Sequence, residues 1–173
     1  QGRRHSVNEV GVVVGRFQTP ALSEGHRRLL DRALEHGSLI VVLGIPRTRA
    51  GTTRNPLDFE TRRLMILSAY PTSTVVGITD ENHDSVWSTK LDALLSATMR
   101  KRKFRIYGSR DSFIDHYTGV WPTQNVISAG NISATEARFG VSGIPGLSPE
   151  FRTGAIYAAM QRPPTAYQAV DVA

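Results

Sequence analysis

Two patterns alternate along the chain: short unbroken apolar runs, and longer stretches in which apolar residues return with a helical period. Val10–Val14 is the first run, and Gly15 ends it, which reads as a buried strand followed by a loop. From Glu24 to His36 the apolar Leu29, Leu30, Ala33 and Leu34 share one face, with Arg27, Arg28, Asp31, Arg32 and Glu35 opposite, so an amphipathic helix is expected. Leu39–Ile45 is a second strand, closed by Pro46 and the polar stretch Arg47 to Arg54. Asn55 as N-cap, Pro56 in the first helical position and the acids Asp58 and Glu60 predict a second helix, running to about Tyr70 before Pro71. Thr74–Thr79 is a third strand, and Ser85–Met99, through Trp87, Leu91, Leu94 and Leu95, a third helix. Phe104–Tyr107 is a fourth strand ending at Gly108, and Asn125–Ser128 a fifth, followed by Gly130 and a short helix from about Ser133. A last helix from Ser148 or Pro149 to about Gln161 precedes Pro163 and Pro164.

Strands and helices alternating at this spacing imply parallel strands joined by right-handed crossovers, a doubly wound five-stranded α/β fold. One domain is expected over residues 9–162, with a tail at 1–8 and an extension at 163–173. Ligands of such sheets bind outside the carboxyl ends of the strands. The loops starting at Gly15, Pro46, Asp80, Gly108 and Gly130 are therefore the places to look for chemistry.

Composition narrows the chemistry. The chain has 173 residues, 40% of them hydrophobic, and no cysteine, which excludes disulfides, cysteine-ligated zinc, iron–sulfur ligation and thiol catalysis together. No apolar run approaches the roughly 20 residues that span a bilayer. The first eight residues are polar, without the apolar centre of a secretory signal, so a cytoplasmic location and no membrane partner are expected. The initial Gln1 and Gly2 fit an added sequence or a processing product. Lys and Arg exceed Asp and Glu by 21 to 15, for a formal charge of +6. Such an excess suits nucleic acid or a compact phosphate ligand. Arg16, Arg47, Arg49, Arg54, Arg62, Arg63, Arg110 and Arg138 are scattered, one or two per expected loop or helix start, and Arg16, Arg110 and Arg138 fall at strand ends where a polyphosphate could bind. Only Arg100, Lys101, Arg102, Lys103 and Arg105 form a dense run, and a solvated helix end, with cations near the C-terminal dipole, accounts for it better than a nucleic-acid patch does.

The signatures of dinucleotide oxidoreductases, P-loops, zinc proteases and α/β-hydrolases are missing. In the first loop, Gly15 permits close approach of a ligand to the backbone, and Gly25-His26 sets an imidazole at a helix N-terminus whose amides favour an anion. The plain alternative, of equal weight, is that Ser23 only caps the helix and His26 is an ordinary first-turn residue. After the fifth strand stands Ile132-Ser133-Ala134-Thr135-Glu136-Ala137-Arg138. Ser133 and Glu136 have the spacing of a capping box, which leaves Thr135 and Arg138 unexplained. Ser133, Thr135, the loop amides and Arg138 would make a cage of donors suited to a polyphosphate. His5, His36, His83 and His116 are expected at the surface, without a role.

These two segments, in this order at opposite ends of one α/β unit, resemble the nucleotidylyltransferase superfamily, whose members carry a His/Thr-x-Gly-His motif after the first strand and an Ile-Ser-x-Thr-x-x-Arg motif after the last. Gly15-Arg16-Phe17-Gln18 is similar to the opening of the nicotinamide mononucleotide (NMN) adenylyltransferases of the archaeal type and of those fused to a Nudix hydrolase. The likeness continues through Asn55–Arg62, Asp80–Trp87 and Tyr107–Phe113, and covers most of residues 10–172. Ser23 stands where the family has His or Thr, and the stretch from Gln18 to Gly25 is about two residues longer than in the archaeal pattern. Tyr167–Val172 looks like the strand leading into a Nudix domain, and no Nudix activity is expected of the chain as it stands.

The resemblance implies transfer of AMP from ATP to NMN, giving NAD and pyrophosphate by in-line attack without a covalent intermediate. His26, with Ser23, would donate to the α-phosphate, and Arg138, Ser133 and Thr135 would hold the β- and γ-phosphates, assisted by Arg16. Gly15, Phe17, Gly25, Gly108 and Arg110 would line the ATP side, and Asp80 and Trp87 the NMN side. For Trp87, a place in the core of the third helix is an equal alternative. Mg²⁺ would arrive with ATP and need no dedicated protein ligands. The alternatives are adenylyl or cytidylyl transfer to nicotinate mononucleotide or phosphopantetheine, and a non-catalytic nucleotide- or nucleic-acid-binding module on the same fold. The sequence leaves a homo-oligomer open.

Overall fold

The structure is a computed structural model that describes residues 8–48, 51–52, 54–109, 112–126, 153 and 157. The elements are β1 (Glu9–Gly15), α1 (Glu24–Leu34), β2 (Leu39–Ile45), α2 (Phe59–Ala69), β3 (Thr74–Thr79), α3 (Asp84–Thr98), β4 (Lys103–Gly108) and β5 (Thr123–Asn125), with a 3₁₀ turn at Phe113–His116 between the last two. All strand pairs are parallel, in the order β3-β2-β1-β4-β5.

The apolar runs become strands because both faces of the sheet are covered. Val13, Leu39, Val41, Leu43 and Tyr107 pack under Leu29, Leu30 and Ala33 of α1 and Ile66 of α2. Val10, Val12, Val14, Ile40, Val42 and Ile106 face Leu91 and Leu95 of α3 on the other side. Strand order reverses between β1 and β4, so the switch-point crevice opens beside Gly15 and Gly108. This is the doubly wound α/β fold expected from the sequence.

Four local expectations need correction. Helix α2 starts at Phe59, and its cap is Asp58, whose Oδ1 accepts from the Thr61 N–H at 2.8 Å. The Asn55 carbonyl instead accepts from the Gly51 and Thr52 amides and closes a turn. β5 starts at Thr123, two residues before the expected Asn125, because the Pro122 carbonyl already accepts from Ile106 and starts the pairing there; residues 127 and 128 of the expected strand lie outside the described residues. Helix α1 ends at Leu34, two residues early, where Gly37 at φ 85° turns the chain. His36 is consequently buried and not on the surface, its Nε2 2.6 Å from the Tyr107 hydroxyl. The basic run follows the C-terminus of α3 at the end of the sheet away from the switch point; Arg102 donates to the Asn8 carbonyl and Arg105 pairs with Glu9. The helices expected near Ser133 and over 148–161 lie outside the described residues, except that Thr153 and Tyr157 are helical and exposed.

Candidate active site

Gly15 ends β1, and the next three residues set the geometry of the loop. Phe17 has φ 49°, left-handed for a residue with a side chain, and its buried ring lies where a Cβ on Gly15 would come within 2.9 Å of it. Gln18, fully buried, uses both ends of its amide on one residue: Oε1 accepts from the Leu57 N–H at 2.8 Å, and Nε2 donates to the Leu57 carbonyl at 2.9 Å. The loop thereby ties the end of β1 to the segment that leads into α2.

Ser23 caps α1, its Oγ accepting from the His26 N–H at 3.1 Å. His26 returns the bond: its Nδ1 accepts from the Ser23 N–H at 3.2 Å, completing a capping box with an imidazole where glutamate is usual. Both readings of this segment are therefore compatible. The cap consumes Nδ1 and fixes the neutral ring with its proton on Nε2, the donor left for a ligand at the helix N-terminus. Phe17 packs on the imidazole with ring centroids 4.9 Å apart. Burial lowers the pKa of His26 from 6.5, so the ring stays neutral at neutral pH.

That shift has a sign. A histidine that resists protonation in the folded state contributes stability above the unfolded pKa of 6.5, and loses it as pH falls through the lower folded value. Urea unfolding midpoints are expected to decline on acidification from about pH 7 to about pH 5, and His26→Gln to flatten part of that decline. Equal slopes for the two proteins would show that His26 titrates normally.

At the end of β3, Asp80 accepts from Arg16 Nη2 at 2.7 Å. This partly exposed pair contributes at most about 1 kcal/mol to stability, and its value lies in aiming Arg16. Around it opens a cleft of about 480 Å³ lined among others by Arg16, Arg47, Arg54, Asn55, Asp80 and Asn82. Three guanidinium groups against one carboxylate give it the charge of an anion site. Asn55 is buried, and its Oδ1 has no hydrogen-bond partner among the described residues.

From the sequence, Arg47 and Arg54 were two of the scattered arginines without a site of their own, and Asn55 was expected only as a helix cap. The available signal was the polar stretch leaving the carboxyl end of β2, a loop already marked as a place for chemistry. Of the residues singled out, Gly15, Arg16, Phe17, Ser23, Gly25 and His26 share one loop and helix start, and Asp80 joins them through Arg16. Gly108 lies beside β1 at the end of β4, where a Cβ would meet Ser112 Oγ and Ile114 Cδ1, each at 2.4 Å. Its own following loop needs that space. Trp87 is half-buried on α3 against Phe113, ring centroids 5.3 Å apart. Arg110, Ser133, Thr135 and Arg138 lie outside the described residues. Among the described residues no three His, Asp or Glu side chains gather into a metal cluster, and no helix is long and apolar enough to cross a membrane.

A doubly wound sheet with a capped, histidine-bearing helix start at its switch point and a cationic cleft beside it has the architecture of a nucleotidyltransferase. A family model described as Cytidylyltransferase-like matches residues 12–138, and the chain belongs to that family of nucleotidyltransferases. Two solved structures of a bifunctional NMN adenylyltransferase/ADP ribose pyrophosphatase from Francisella tularensis share the fold. One, in complex with AMP and a manganese ion, is 23% identical with a TM-score of 0.64, covering 76% of this chain and 41% of that one. The other is 22% identical with a TM-score of 0.63, covering 78% and 43%. NadR protein in complex with NAD and AMP-PNP is 13% identical with a TM-score of 0.52, covering 70% and 38%. The chain thus spans about two-fifths of the length of the solved structures it matches. None of the curated proteins compared matches it.

Proposed function

We propose that the chain transfers AMP from ATP to NMN, releasing pyrophosphate and forming NAD. The observation that carries this reading is the Ser23–His26 box, which leaves Nε2–H as a donor at a helix N-terminus on the same loop as Arg16, and Arg16 lines a cleft with Arg47 and Arg54. A phosphate oxygen of NMN attacks the α-phosphorus of ATP; a new P–O bond forms, the bond to the β-phosphate oxygen breaks, and pyrophosphate leaves with that electron pair. No side chain is needed as a nucleophile. The protein positions two polyanions and stabilises the charge that grows on the α-phosphate, which is the task of an oriented donor in a site organised beforehand.

His26 donates to the α-phosphate, with the Ser23 hydroxyl beside it, and the cleft arginines hold phosphate oxygens. By the family likeness, Asp80, held by Arg16, and Trp87 serve NMN, and Gly108 and Arg110 serve the adenosine half of ATP. Ser133, Thr135 and Arg138 complete the triphosphate site as their motif implies. A divalent ion, Mg²⁺ in the cell, comes as part of the ATP substrate. NMN is the favoured acceptor because the Gly15–Gln18 opening resembles that subgroup and two of the matched structures are of an NMN adenylyltransferase. A cytoplasmic location fits this activity.

The test is direct. Protein is incubated with Mg²⁺-ATP and, in separate reactions, NMN, nicotinate mononucleotide and phosphopantetheine, and pyrophosphate and the adenylylated product are measured. NMN is expected to give NAD and equimolar pyrophosphate at the highest rate. Preference for another acceptor would replace NMN in the reading, and no product with any of them would leave only a binding module.

A further inference from the structure

Arg62 is the largest fully buried side chain of the described residues, at 1% exposure, although it belongs to the first turn of a helix that otherwise puts its charges in water. Its hydrogen bonds do not go to a carboxylate. Nη1 donates to the Arg16 carbonyl at 2.8 Å and to the Gly44 carbonyl at 2.9 Å, and Nε donates to the Asp58 carbonyl at 3.1 Å. One planar guanidinium thus joins the loop after β1, the end of β2 and the N-cap of α2. Burial, and then the nearby charge of Arg16, lower its pKa to about 10, so it remains a cation at neutral pH. Keeping a charge buried with no carboxylate in hydrogen-bond contact, and only the fields of Asp58 and Asp80 in its favour, costs desolvation, and a packed apolar residue would avoid that cost. What the arginine gains is control of backbone geometry.

The peptide it controls is the one before Phe17. The Arg16 carbonyl is drawn in toward β2, and the next residue takes the left-handed φ of 49°, a conformation costing a residue with a side chain roughly 1–3 kcal/mol unless its surroundings enforce it. On the far side of Phe17, the Gln18 amide is locked to Leu57. Held at both ends, the ring of Phe17 has one place to go, under Gly15 and against the imidazole of His26.

We propose that Arg62 is a positioning residue of the candidate active site, which acts on His26 through the Arg16 carbonyl and the left-handed Phe17. Its consequence for turnover rests on the adenylyl-transfer reading above, while the mechanical link does not. Arg62→Lys keeps the charge but loses the fork that reaches three carbonyls at once.

Two measurements on Arg62→Lys test this, with Arg63→Met, a partly exposed neighbour on the same helix that pairs with Glu60, as the control. By NMR without nucleotide, the Phe17–His26 ring contact is expected to weaken and the His26 titration midpoint to rise toward the ordinary value; Arg63→Met leaves both unchanged. In the transfer assay, kcat is expected to fall about 10-fold or more with KM for ATP changed less than about threefold, since a displaced donor is missed mainly in the transition state. If Arg62→Lys does not fold, Arg62→Gln, which also loses the three-carbonyl fork, is read by the same measurements; Phe17→Leu, one step further along the path, should raise the His26 midpoint with Arg62 intact. An unchanged ring contact and titration in a folded Arg62→Lys or Arg62→Gln, or an unchanged His26 titration in Phe17→Leu, overturns the proposal, including the case where Arg62→Lys merely melts earlier. A lost ring contact with unchanged turnover upholds the link and removes His26 from the chemistry.

Discussion

Replacing His26 by alanine is expected to lower the turnover of adenylyl transfer about 10²- to 10³-fold, the roughly 3–4 kcal/mol typical of one oriented donor at a developing charge. The same change deletes the Nδ1 acceptor of the Ser23 N–H, so a modest loss of stability must accompany it. One net hydrogen bond is worth about 0.5–1.5 kcal/mol, or a few degrees in Tm for a chain of this length. The two effects can be separated, because glutamate is the usual partner at this position of a capping box. His26→Glu should recover the Tm lost in His26→Ala while turning over no faster, since a carboxylate can accept from Ser23 but cannot donate to a phosphate. Turnover of either variant within threefold of the unchanged protein would sink the assigned role. Recovery of turnover together with stability in His26→Glu would reduce His26 to a helix cap.

Where the fold was legible in the sequence, burial is the reason. β2 runs as expected because a strand covered on both faces has little freedom in composition, and Leu39–Ile45 is a continuous apolar run; β3, at the sheet edge and partly buried, is marked by the β-branched residues of Thr74–Thr79. The start of α2 was not legible. Asn55-Pro56 has the appearance of a helix start, but the Leu57 N–H and carbonyl are both engaged by a side chain 39 residues away, and the chain cannot turn helical before Asp58. No local pattern carries that information.

The site divides in the same way. Gly15, Ser23, Gly25 and His26 could be picked out because they are close in sequence and sit at a strand end. Arg62 was visible only as one of the scattered arginines and as the end of the Asn55–Arg62 likeness; its partners are main-chain carbonyls, which leave no side-chain pattern in the sequence. Arg47 and Arg54 were visible as charges, and only the folding of their loop beside Asp80 turns them into a cleft. His36 was misjudged for a related reason. It follows the last helical face residue, and a left-handed glycine one position later, not hydrophobic periodicity, delivers it to Tyr107.

The largest expected loss of stability comes from a residue with no side chain. Gly11 sits in the middle of β1, where α1 crosses the sheet, and a Cβ there would lie 1.9 Å from the Ala33 carbonyl oxygen, 2.6 Å from its carbon and 2.9 Å from its Cα. All three are backbone atoms of a fully buried turn, so no rotamer change can relieve the clash. Gly11→Ala must push α1 off the strand, opening the packing of Leu29, Leu30 and Ala33 on Val13 and Tyr107. Overpacking a core usually costs about 1–3 kcal/mol, and with backbone on both sides the upper end or more is expected here, a fall in Tm of about 6–12 °C. Gly37→Ala is the comparison. It has nothing within 4 Å and bears only the strain of φ 85°, about 1–2 kcal/mol. Gly11→Ala should therefore be the less stable of the two in urea or thermal melts, and the reverse order would mean that α1 does not press on β1 as described. A second consequence follows from where α1 begins. The helix that Gly11 admits to the sheet is the one whose first turn carries Ser23 and His26, so below its melting point Gly11→Ala should also lose turnover, which Gly37→Ala, at the far end of that helix, should keep.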